Sequence, residues 1–157
     1  MRYINDKIVL GSNISSSLYV LDLSQNKLEY ITIDHQLTNL ERTYKLPKEV
    51  SDPEESFSLY KKTESEISFG EPVWDATNGH YFRLSHVNHF ETSTTGYPSP
   101  TKVDTYLNIL DKNFKLQAEI PLPSRKSTPG FYFAKDGKFW IFENMDDEMG
   151  FVRIKVD

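Results

Sequence analysis

The chain has 157 residues, with 18 Lys and Arg against 23 Asp and Glu for a formal net charge of −5. That length holds one domain with a real core, and the acidic balance argues against nucleic-acid or anionic-membrane binding, which needs concentrated positive charge. Zero cysteines exclude disulfides, thiolate metal sites and a cysteine nucleophile, no apolar run approaches the ~20 residues of a membrane span, and the start MRYINDKIVL does not read as a signal peptide.

Strand signals dominate from the first residues. Lys7 to Leu10, Leu18 to Leu23 and Leu28 to Ile33 are short runs of Val, Ile, Leu and Tyr, separated by Gly11-Ser12-Asn13 and Ser24-Gln25-Asn26. Those separators favour turns because their side chains tolerate or stabilise unusual backbone angles. The segment Ser51-Asp52-Pro53-Glu54-Glu55 differs: a capping side chain, a proline near the first helical position and acids in the first turn predict one short helix over 53–66. Three further hairpins follow. Trp74 to Ala76 and His80 to Ser85 flank Thr77-Asn78-Gly79; Thr105 to Leu110 and Lys115 to Pro121 flank Asp111-Lys112-Asn113; Phe131 to Ala134 and Lys138 to Glu143 flank Lys135-Asp136-Gly137. Asn-Gly and Asp-Gly between apolar runs are strong hairpin signals because such turns need positive φ. Thr92 to Lys102, with Ser, Thr, Gly and two prolines, reads as a loop.

The hairpins repeat in order. Tyr19 over Tyr106 places Leu23 on Leu110 and Asn26 on Asn113, and the run Asn5 to Leu10 overlays Asp136 to Ile141. Units beginning at Lys7, His80 and Lys138 are spaced by 73 and 58 residues. Both intervals exceed the roughly 40–50 residues of a four-stranded propeller blade, the first because of the helix and the second because of the 92–102 loop. The expected fold is therefore all-β: a single domain, 1–157, of about three antiparallel four-stranded blades of a β-propeller. The first blade has only Arg2 to Ile4 as its innermost strand and the last stops after a third strand. A generic antiparallel sandwich is the bland alternative. Three blades cannot close a ring, and unpaired edges invite association. Self-association or poor solubility is thus expected, through a homodimer or through pairing with a missing N-terminal half.

Ile67-Ser68-Phe69-Gly70-Glu71-Pro72-Val73-Trp74-Asp75, followed by His80-Tyr81-Phe82-Arg83-Leu84, resembles a Phe-Gly-x-x-x-(Tyr/Trp)-Asp … Tyr-Tyr-Arg-Phe segment of the DUF4221 family. Phe131 to Asn144 looks like that family's last blade. The resemblance implies a six-bladed, propeller-like fold of the kind found in Bacteroidetes, with this chain corresponding to the C-terminal half. It also suggests a cell-envelope lipoprotein setting, and it transfers no catalytic residues.

Chemistry-bearing clusters are sparse. His86 and His89 lie three apart on a strand and so point to opposite faces, and His80 and His86 share a face some 20 Å apart; no metal site is expected. The acidic run Glu143 to Glu148 offers oxygen ligands of the type calcium prefers, but without the order of a calcium loop, and it reads as a solvated turn. Asp75 and Arg83 flank one turn and are expected to face each other. With His80 and His86 they form the best polar cluster for ligand binding. Trp74, Tyr81, Phe82, Phe139, Trp140 and Phe142 read as core between blades. There is no Gly-x-Ser-x-Gly elbow and no phosphate loop, so no catalytic residue and no cofactor are expected. The leading expectation is a binding or assembly module with a protein or glycan partner. The alternative is a hydrolase or lyase at the axial mouth, which needs Asp75, His80 or His86 within hydrogen-bond reach in a pocket.

Overall fold

The computed structural model describes residues 1–4, 6–50, 52–91, 98–145 and 148–156. The first four strands are β1 (Arg2–Ile4), β2 (Lys7–Ser12), β3 (Ser15–Asp22) and β4 (Lys27–Ile31), joined in that order as an antiparallel sheet. Asp6 and Asn26, at its tight turns, take positive φ (56° and 50°), a region that short polar side chains tolerate better than most. The described residues between β4 and the helix that follows, 32–50 and Asp52, carry no helix or longer strand, only an isolated bridge from Glu41 to Ser15.

Helix α1 (Pro53–Glu64) ends two residues short of the sequence expectation. The Asp52 side chain caps it by accepting from the Glu54 N–H at 3.0 Å, with Glu54 and Glu55 in the first turn and Lys61 and Lys62 in the last, all favourable to the helix dipole.

The second sheet contains β5 (Ser68–Phe69), β6 (Val73–Asp75), β7 (His80–His89), β8 (Lys102–Leu110) and β9 (Leu116–Arg125). β5 and β6 pair with the same edge of β7, so they form one interrupted strand. The interruption falls at Gly70-Glu71-Pro72: proline has no N–H for the ladder, and a Cβ on Gly70 would stand 2.0 Å from the Tyr132 hydroxyl oxygen. The third sheet is β10 (Tyr132–Lys135), β11 (Lys138–Met145) and β12 (Glu148–Lys155). Its first turn uses Asp136 and Gly137 at φ 54° and 69°, the positive pair that an Asp-Gly hairpin supplies. Part of the expected 92–102 loop, residues 92–97, lies outside the described residues; Lys102 already begins β8.

The middle sheet is covered on both faces, which explains why β7 is buried without alternation from Tyr81 to Ser85, polar residues included. On one face Tyr81 and Leu110 pack with Val9, Leu18 and Val20 of the first sheet, Ile33, and Phe114. On the other, Phe82, Leu84, Leu107 and Ile109 pack with Phe139 and Ile141 of the third. Phe114 holds φ 63°, unusual for a bulky residue. Its ring is buried and stacks on Tyr81 at 4.4 Å, and the Asp111 carboxylate binds the N–H groups of Asn113 and Lys115 around it.

Contacts among the first strands of the three sheets centre on Glu71. Its carboxylate accepts from Arg2 Nε at 2.8 Å and its carbonyl accepts from the Tyr132 hydroxyl at 2.7 Å. Two hollows lie elsewhere in the fold. A hollow of about 540 Å³ opens between 31–37 and 113–119, and one of about 450 Å³ opens between 122–125 of β9 and Val152 and Ile154 of β12. Three stacked sheets exclude the two-layer sandwich. The fold is mostly β with antiparallel sheets and one short helix, and the described residues form neither a barrel nor a closed ring.

Candidate functional site

The four polar residues singled out in the sequence do not converge. Asp75 and His80 are directly paired and share a face, with Oδ2 and Nε2 3.4 Å apart. Arg83 lies on the other face of β7, turned to the first sheet, because three residues of extended chain reverse the side-chain direction. The register sets Asp75 opposite His80, so the expected Asp75–Arg83 pair does not form. Instead the Asp75 carboxylate binds the Thr77 N–H and the Asn78 side-chain amide of its own turn. Only 2% of Asp75 is exposed, while the His80 side chain is 17% exposed. His86 shares the face of His80 but sits six residues along β7, near Arg42 and Glu64.

Arg83 is a structural centre that the sequence reading cast as a ligand group. It is completely buried and pairs with no carboxylate among the described residues; its guanidinium donates to the carbonyls of Gly70, Ser16, Ser15 and Ser12. The group lies over the Phe69 ring at 5.0 Å. Burial lowers its pKa to about 10, so it remains charged at neutral pH. Gly11 permits this: a Cβ there would meet Leu18 at 3.0 Å and Arg83 at 3.5 Å.

Arg83, Asn108 and Glu119 stand in one register row across β7, β8 and β9. The Glu119 carboxylate accepts from the N–H groups of Gln36 and Leu37, from the Thr38 hydroxyl, and contacts His35 Nδ1 at 3.1 Å. Burial alone would raise the Glu119 carboxyl, but the Leu37 and Gln36 N–H groups, with His35 and Thr38, bring it below its usual value. His35 is held below its ordinary value chiefly by burial. His35, Asn108 and Glu119 were missed as a group because 34–42 has no periodic pattern; the one available signal was a single polar residue, Asn108 or Glu119, among the apolar residues of its own strand.

Burial likewise lowers His86 to about 4, with Arg42 reinforcing and Glu64 opposing the shift. Because the folded value lies below the unfolded 6.5, the unfolded chain takes up the proton first. Stability is therefore full above the unfolded value and falls as pH drops through this window. The loss from His86 is on the order of 3 kcal/mol, and His35 acts in the same direction. Urea unfolding at neutral pH and near the lower value should show this loss, and His86→Gln should remove most of it; an unchanged slope in the variant would refute the assignment.

What the two outer sheets present to solvent is unexpected. On the first, Tyr3, Ile8, Leu21 and Leu28 form one cross-strand row and Leu10, Tyr19 and Tyr30 the next. Leu28 is 64% and Tyr30 60% exposed, and the Tyr19 and Tyr30 rings lie 4.9 Å apart. The third sheet turns outward a row of Phe133, Trp140 and Arg153, with the two rings stacked at 5.7 Å and the guanidinium 5.4 Å from the indole. Phe142 and Phe151 form the next row, beside Phe131. Of the aromatics expected as core, Tyr81, Phe82 and Phe139 are buried and Trp74 packs at 4.7 Å on Tyr81. Trp140 and Phe142 instead alternate onto this outer face. Glu143 of the acidic run pairs with Arg125, while Asp146 and Asp147 lie outside the described residues.

The sequence model of the family described as "Domain of unknown function (DUF4221)" matches residues 2–121, which take in the first sheet, the helix and most of the second sheet. No curated protein matches. A crystal structure of a DUF4221 family member from Bacteroides vulgatus is similar over 96% of this chain, with a TM-score of 0.63 at 15% identity. The match covers 43% of that chain, so the present chain spans less than half of that relative's length. At that identity the likeness carries the fold alone. Neither comparison supports the expectation of a C-terminal half in particular, and Phe131 to Asn144 lies beyond the matched residues. With 120 of its 157 residues matched, and with the Ile67–Asp75 and His80–Leu84 segments among them, the chain belongs to the DUF4221 family.

Proposed function

We propose that residues 1–157 form one domain of three propeller-type blades, and that it works as a non-catalytic assembly module through the faces of its outer sheets. The observation that carries this reading is the pair of exposed apolar faces on the first and third sheets. Contiguous apolar surface beyond a few hundred Å² on a folded chain marks an interaction site. The blade reading draws support from the first strands of the three sheets meeting around Glu71. The lack of catalysis draws support from the Asp75 carboxylate, which is buried and bound to the Thr77 N–H and the Asn78 amide of its own turn.

In dilute solution the chain should show native near-ultraviolet circular dichroism and still bind the dye ANS, which reports accessible apolar surface. Tyr19→Ser with Tyr30→Ser should remove one share of that signal, and Phe133→Ser with Phe151→Ser the other. A native, dilute monomer that binds no dye would sink the reading.

A further inference from the structure

The two outer faces differ in chemistry. The face of the third sheet carries, besides its aromatic rows, a cross-strand row of Lys135, Lys138 and Lys155. With Arg153 that places four cations on one face. The face of the first sheet has no lysine or arginine in its two apolar rows; it offers tyrosine rings and, at the β1–β2 turn, the Asp6 carboxylate bound to the Tyr3 hydroxyl at 2.6 Å. Two copies of the cationic face brought together would set like charges against each other, which opposes association. The cationic face against the tyrosine face pairs cations with ring faces and with a carboxylate. The contact of Arg153 with Trp140 already shows this chemistry within the sheet.

The way the chain stacks its own sheets sets the alignment. The β6–β7 turn lies against the β10–β11 turn, where the Asn78 amide donates to the Gly137 carbonyl at 3.3 Å. The same stacking repeated between two chains would place the β10–β11 end of the third sheet beside the β1–β2 end of another first sheet. Those are the ends that carry the lysine row and Asp6, respectively.

We infer that the partner covering both faces is a second copy of this chain, with the first sheet of each copy on the third sheet of the other about a two-fold axis. This rests on the assembly reading above and names its partner. Area agrees. At the ordinary strand spacing and rise, one such face is about 400 Å², and two contacts between two copies bury about 1,600 Å², the size of a stable specific interface. Unlike faces joined repeatedly would give an open fibre unless the geometry closes; closure after two copies is the specific claim.

Sedimentation of the full chain over a range of concentrations tests it. The wild type should sediment as a dimer at high concentration, with dye binding lost as the dimer forms. Tyr30→Lys, on the tyrosine face, and Phe151→Asp, on the aromatic face, should each weaken the dimer on the order of thirtyfold or more. Both side chains are exposed, so circular dichroism should be unchanged. An equal mixture of the two variants should recover a dimer, since one unaltered contact remains in the mixed pair. A variant that dimerises alone would show like faces pairing and overturn the arrangement. Larger or open-ended species would overturn the closure. A wild type that stays monomeric at all concentrations while binding dye on both faces would overturn the second copy and leave the assembly reading standing. A dilute monomer without dye binding would remove the assembly reading itself.

Discussion

Replacing Arg83 with methionine is expected to destabilise the protein by about 3–5 kcal/mol, a large share of the total stability of a domain this size. Methionine fills much of the same space but donates nothing. The carbonyls of Gly70 and Ser16, with those of Ser12 and Ser15 beyond, would lose the guanidinium that binds them inside the core. An unsatisfied buried carbonyl costs about 1–3 kcal/mol, and the two shorter bonds alone account for most of the effect. Arg83→Lys should recover only part of it, because one ammonium on a flexible stem cannot reach acceptors on both sheets as a planar fork does. Urea titration gives the magnitude. Amide exchange should locate the loss in β2, β3 and the Gly70 region rather than in the third sheet. A change below about 1 kcal/mol would mean that the carbonyls find water, and that Arg83 does not tie the sheets together.

The second large effect is expected from Phe139→Ala. This ring is fully buried between the middle and third sheets, 5.2 Å from Phe82 and 5.4 Å from Tyr132. Truncating a buried phenylalanine costs about 3–5 kcal/mol when the cavity cannot collapse. Three-stranded β10–β12 depends on Phe139 and Ile141 for its packing, so its amides should lose exchange protection before those of β7 and β8 do. Trp140→Ala, one residue along the same strand, provides the contrast. Its side chain stands on the outer face, and the substitution should cost much less stability while weakening association. If the two substitutions had the same stability effect, the inward and outward assignment of β11 would be wrong.

That contrast also shows how far the sequence could be read. Asn78-Gly79 and Asp136-Gly137 announced their hairpins because few residue types accept the left-handed backbone that those turns require, and both glycines take it. Asp52-Pro53-Glu54-Glu55 announced its helix for equally local reasons, and the helix starts at Pro53. The candidate site was less legible. Alternation along β7 was applied to separate His86 from His89, and the same alternation separates Arg83 from His80 and His86. The polar cluster had been assembled by nearness to one turn rather than by face. His35, Asn108 and Glu119 had no signal as a group, because two of them lie on neighbouring strands and the third comes from an aperiodic segment more than 80 residues from Glu119.

Periods and turns are properties of a few adjacent residues, so the amino-acid order determined where the strands begin and end, where the helix sits and which side chains share a face. Which face is inside is a property of neighbours. Trp140 and Phe139 are both large and apolar, and only the stacking of the third sheet on the second makes one a core residue and leaves the other in solvent. In the same way, only the docking of the first sheet turned Arg83 from a charged side chain on a strand into a buried clasp, since a guanidinium there is tolerable only where carbonyls from another sheet arrive to receive it.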